Sequence, residues 1–109
     1  MKTILGRRAK ILANEFVDSE SVAQVTHVDE QAGKLVLTLD HSPSVPGITY
    51  GHVVASPRLS KDGLQTLLTT GRLGCAVTWV PTDRFNSSNP FDLSWWRGGA
   101  AAVVDIELT

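Results

Sequence analysis

Three histidines, one cysteine and a knot of aromatic residues late in the chain are the side chains whose types could do chemistry. His52 stands in the run Ile48, Tyr50, His52, Val54, whose alternation places it on an otherwise apolar strand face. An imidazole in apolar surroundings stays neutral and can accept a proton, which is what a general base needs. Base-assisted nucleophilic catalysis also needs a third group to orient the base, and no spacing supplies one. No catalytic residue is therefore assigned, and a small enzyme of a cupped fold with His52 as general base stands as the alternative reading. On the same face, Tyr50 and His52 could join Trp79 of the following strand in a pocket with an aromatic wall and polar handles. Such a pocket takes a small, largely apolar ligand. The simpler fate of all three is filled core.

The remaining candidates are thinner. His27 and Asp29 share a face at i, i+2 and could both reach one cation, but three ligands are the minimum for a held metal. The expected hairpin register sets His41 opposite Val22 on the other face, so no metal site is assigned. Cys75 alternates with Val77 and Trp79 and reads as a small buried hydrophobe. A single cysteine excludes an intramolecular disulfide and zinc sites built on several cysteines. Gly71-Arg72-Leu73-Gly74 follows a helix instead of opening one, the wrong geometry for a phosphate cradle, and no cofactor is implied. Arg58 and Lys61 flank a helix start where an anion could bind, although solvated basic side chains explain them as well. Lys2, Arg7, Arg8 and Lys10 could form a basic face toward phosphate backbones, a third class of function. Ten basic against eleven acidic residues, for a net charge of -1, argue against a nucleic-acid partner.

The segment 85–97 carries the most information. Phe85, Phe91, Trp95 and Trp96 lie in it beside Arg97, within a stretch whose Asn86-Ser87-Ser88-Asn89-Pro90 centre cannot be regular structure. Aromatic residues on a loop must cover the protein's own core, a partner or a ligand. Trp and Arg are favoured interface anchors. Neighbouring residues of extended chain point opposite ways, so one of Trp95 and Trp96 is expected to close over the small residues 100–102. The other is then free for a partner.

The elements that must position these residues can be read from pattern. Residues 22–29 and 34–40 form a hairpin, with Gly33 in the left-handed conformation that ends its loop. Its register pairs Asp29 with Lys34, Val28 with Leu35 and His27 with Val36. Strict alternation then assigns Val22, Val28, Leu35, Leu37 and Leu39 to the core face. Residues 42–47, with two prolines, are a loop, and further strands are expected at 48–55, 73–80 and 100–108. A helix is expected at about 61–70, with Ser60 as N-cap, a staple between Leu59 and Leu64, and Gly71 just past its end. Residues 3–17 are ambiguous. Thr3 could cap a helix burying Ile4, Leu5, Ile11, Leu12 and Phe16, while Ala9, Ile11 and Ala13 alternate as in a strand. Asp18 to Ser21 is a polar break.

With 109 residues, 42% of them hydrophobic and 19% charged, the chain is one globular domain, 1–109, and not a disordered one. The expected fold class is α+β: a curved, mainly antiparallel sheet of about five strands covered by one or two helices. No apolar run approaches the roughly 18 residues of a membrane span, and the first residues lack the apolar core of a secretory signal. A cytoplasmic protein without membrane contact is expected. The leading functional expectation is a non-catalytic binding or interaction domain, a homo-oligomer, using the aromatic loop and the adjoining sheet face.

Overall fold

The central hairpin forms in the expected register. In the computed structural model, which describes residues 4–15, 17, 19–43, 46–57, 62–98 and 102–109, β2 (Ser21–Asp29) and β3 (Lys34–Leu39) pair Asp29 with Lys34, Val28 with Leu35 and His27 with Val36. Gly33 takes a φ of 71° and donates its N–H to the Asp29 carbonyl oxygen at 2.8 Å, as the loop geometry demands. Further along, the alternation breaks. Thr26 is an extra residue opposite Val36, and this bulge puts Thr26 and His27 on the same side of the sheet. Ala23 and Val25 are thereby turned into the core, whereas Val22, expected inside, is 40% exposed. The slip also removes His41 from its expected place opposite Val22. Asp40 instead donates its N–H to the Val22 carbonyl oxygen.

The ambiguous stretch near the N-terminus is a strand, β1 (Arg8–Ile11), preceded by a turn in which Gly6 has a φ of 86°. Of the two alternatives left open for that stretch, the strand is the one that forms. Ala9 and Ile11 alternate inward, and β1 finds partners on both sides, β2 and the last strand β6 (Ala102–Leu108). A sheet whose first and last strands pair has no open edge. The expected curved sheet of about five strands is therefore a closed six-stranded antiparallel barrel, β1 through β6 in chain order, with β4 (Tyr50–Pro57) and β5 (Arg72–Pro81) between. Mostly β with one α-helix among the described residues is the resulting class.

That helix, α1 (Gly63–Thr70), joins β4 to β5 and buries Leu64 and Leu67 in the barrel core. Gly71 adopts the left-handed C-terminal conformation, φ 78°, and donates to the Leu67 carbonyl oxygen. Its own carbonyl oxygen accepts the Leu108 N–H at 2.8 Å, tying the helix end to β6. Thr3, Phe16, Asp18, Ser44, Val45, Arg58, Leu59, Ser60, Lys61 and Ala100, together with Lys2, lie outside the described residues.

A six-stranded barrel is too narrow for large residues everywhere, since eight strands already leave an interior only just filled by side chains. Small and large residues accordingly face each other across the ladders, Ala23 with Leu39 and Leu35 with Ala55. The interior is completed by Val25, Leu37, Val53, Cys75, Val77, Val104 and Ile106, all essentially inaccessible. Each large aliphatic side chain buried this way contributes about 1.5–3 kcal/mol. Ile4 joins the same cluster, as do Tyr50, Trp79 and Val17, which are partly buried.

Candidate functional site

The barrel wall has a second apolar surface, on its outside. Val36 of β3, Val54 of β4 and Val80 of β5 are buried there under Phe85, Phe91, Leu93 and Trp95. These four come from the segment that follows β5 and a 3-10 turn at Thr82–Arg84. The segment is held by its own short bonds as well as by the wall. The Ser88 N–H donates to Asn86 Oδ1, the Ser94 N–H to Asp92 Oδ1, and the Trp96 N–H to the Leu93 carbonyl oxygen. The Ser94 backbone N–H on Asp92 keeps that carboxyl below the usual carboxylate range.

Trp95 and Trp96 part ways at the end of this segment. Trp95 packs on the valine cluster, and its indole N–H donates to the Asp92 carbonyl oxygen at 3.1 Å. Trp96 is half-buried and belongs to neither apolar cluster of the described residues. Its ring lies over Gly98 so closely that a Cβ there would stand 2.8 Å from it. Arg97 is exposed and donates to the Ser94 carbonyl oxygen at 2.5 Å. The two tryptophans occupy different environments, although the Trp96 N–H to Leu93 bond closes a turn here where extended chain was expected. The inward one covers the outer valines; the residues 100 and 101 it was expected to cover are not described.

Tyr50, His52 and Trp79 are divided between the two sides of the wall. Gly51 is an extra residue between Tyr50, paired with Pro81, and His52, paired with Val80. This second bulge breaks the alternation that would have put Tyr50 and His52 together. Tyr50 packs on the interior cluster and meets Trp79 edge-on, ring centroids 6.4 Å apart, at the barrel end away from α1. His52 lies outside, flat on Phe85, with centroids 3.6 Å apart and planes 4° from parallel. His27 completes the group, its ring 6.1 Å from the same Phe85 ring.

Among the described residues, His52 Nδ1 is buried with no hydrogen-bond partner. Neutral imidazole suits this position: the proton sits on Nε2, and an unmet lone pair faces the packing instead of an unmet N–H. Burial pulls the His52 pKa below the ordinary histidine value, and the charge of His27 pushes the same way. Beside them Thr26 and Thr38 exchange a hydroxyl contact of 2.9 Å, and Thr26 Oγ1 lies 3.1 Å from His27 Nδ1. Among the described residues no carboxylate orients the His52 imidazole, and Phe85 covers its face.

The other candidates fall out as follows. Among the described residues no three His, Cys, Asp or Glu side chains lie close enough to hold a metal. Cys75 is buried, and desolvation, helped by the charge of Asp105, pushes its thiol up to about 12. Of the basic cluster, Arg8 pairs with Asp40, and Lys10 lies 3.7 Å from Glu20. Arg8 holds the Asp40 carboxyl below its usual range. Sequence reasoning missed two features. The outer valine patch had a signal, since Val36 and Val54 are apolar at positions facing away from the core. A surface depression of about 430 Å³, lined by Gly47, Ile48, Thr49, Pro81, Thr82, Asp83 and Arg84, had none, because it forms only where two distant loops meet. No helix among the described residues is long and apolar enough to cross a membrane. No protein-family model, curated protein or solved structure matches this chain.

Proposed function

We propose that this chain is a non-catalytic interaction domain that binds a second copy of itself through the end of the 85–97 segment. The observation that carries this reading is the fate of Trp96: a large aromatic outside both apolar clusters, laid over Gly98 beside the exposed Arg97. Residues of these two types dominate interface energetics when a partner desolvates them. The closed barrel offers no strand edge for pairing, so association must run through side chains. A net charge of -1 opposes contact between like copies only weakly. Phe85, Phe91 and Trp95 act from beneath, fixing the segment so that Trp96 and Arg97 are presented at little entropic cost. A lone cysteine kept as a thiol suits the cytoplasm. The test is NMR on a mixture of isotopically labelled and unlabelled chains. Intermolecular contacts centred on the Trp96 indole support the reading, and their absence at high concentration counts against it.

A second reading rests on the Tyr50–Trp79 pair. The two rings meet at the barrel end away from α1 and are only partly buried, so a small apolar ligand could add to them there. His52 would not share in that site, being on the outer wall. Thermal-shift screening of wild type against Trp79→Phe tests it, because ligand at 100 times its Kd stabilises by about 2.7 kcal/mol.

A further inference from the structure

We propose that His27, Phe85 and His52 form a proton-sensitive clasp that holds the 85–97 segment on the outer wall when His52 is neutral and releases it when His52 is charged. Three rings from three separate parts of the chain converge at the point where the segment leaves the 3-10 turn at Thr82–Arg84. The stack of His52 on Phe85 is close to parallel and is the first contact the segment makes with the wall. The clasp is independent of self-association and acts whatever partner the barrel meets.

Charge on His52 is costly here for two reasons. Nδ1 must then carry a proton, and it is buried where no acceptor among the described residues reaches it. The positive ring also faces His27 across the same cluster, and His27 already disfavours the charged form. Among the described residues, the groups packed around His52 offer no relief. β2 presents His27, β3 the hydroxyl of Thr38, β5 presents Val80, and the segment presents Phe85. Asp83 and Arg84, just before Phe85, are exposed and line the depression against residues 47–49. Attraction between an imidazolium and the face of Phe85 works the other way, but it does not supply the missing acceptor. Lifting Phe85 off gives Nδ1 access to water and separates the segment from the wall. Val36, Val54 and Val80 are then uncovered, so the released state presents an apolar patch that the docked state hides.

The experiment follows ring and methyl NOEs in the intact chain from about pH 7.5 to about pH 5, across the ordinary histidine range. Contacts of Phe85 with His52, and of Trp95 with the outer valine cluster, are compared with the interior Tyr50–Trp79 contact. The outer NOEs should be lost toward the low-pH end while the interior Tyr50–Trp79 NOEs are kept. In His52→Gln, which cannot charge, they should persist at the low pH. His52→Phe, which keeps a ring against Phe85, serves the same purpose if the glutamine variant fails to fold. Persistence of the outer contacts in the wild type down to about pH 5 overturns the proposal, as does equal weakening in the non-titrating variant.

Discussion

Tyr50 and His52, separated by one residue, stand on opposite sides of the barrel wall: Tyr50 meets Trp79 inside its end, and His52 lies flat on Phe85 outside. The Gly51 bulge is the cause. Double-mutant cycles should report it. Tyr50–Trp79 and His52–Phe85 are each expected to couple by about 0.5–1.5 kcal/mol, the range for paired rings. Tyr50 and Phe85 should be additive within about 0.5 kcal/mol. Strong Tyr50–Phe85 coupling, read by urea denaturation, would put both rings on one side.

The bulge at Thr26 sorts β2 in the same way. Val25 is fully buried and Val22 is not. Val25→Ala removes two buried carbons and leaves a cavity, for a loss of about 2 kcal/mol. Val22→Ala should change stability by no more than about 0.5 kcal/mol. Equilibrium denaturation separates the two, and the opposite ranking would restore the unbroken alternation.

Cys75 should be inert in the native protein. Its thiol is buried and pushed up to about 12, so the thiolate is scarce at neutral pH. Titration with a coloured disulfide reagent is expected to find no fast thiol without denaturant and one with it. Rapid labelling of the native chain would contradict the packing around β5.

Stability should fall on acidification in two separate windows. The folded pKa of His52 lies below its ordinary value of 6.5, so across the gap the unfolded chain binds more protons. The His52 contribution is complete above 6.5 and is lost as pH falls from there to the depressed value. His52→Gln should remove that part of the slope. Asp40 and Asp92 act lower. Their contributions are present above the ordinary 3.8 and are lost as pH falls through their depressed values. Denaturation midpoints measured from neutral to strongly acidic pH should show both steps in the wild type and only the lower one in the variant.

Much of the barrel was legible in the sequence because local chemistry decides it. Gly33 and Gly71 fixed the hairpin loop and the helix end, and the alternation Val104, Ile106, Leu108 set the inward face of β6. Closure was not legible, since it depends on four residues, Arg8 to Ile11, pairing with strands far away in the chain at both sides. The bulges were hidden for a related reason. Gly51 hints at one, but Thr26 is as ordinary in a strand as its neighbours, and only ladder pairing reveals the extra residue. The aromatic segment was recognisable as needing a surface. Which surface it covers depended on Val36, Val54 and Val80 meeting on the outside, a consequence of register across three strands.

The sharpest test of the interaction reading compares two neighbouring substitutions by sedimentation. Trp95 anchors the segment to the outer valines, so Trp95→Ala should lower folding stability, by about 3–5 kcal/mol if its site cannot collapse. Trp96 is half-buried and lies outside both apolar clusters of the described residues, so Trp96→Ala should cost less folding stability than Trp95→Ala while weakening self-association by about 2 kcal/mol or more, roughly thirtyfold in Kd. A wild type that stays monomeric at high micromolar concentration, or an oligomer whose Kd does not respond to Trp96→Ala, would contradict the account.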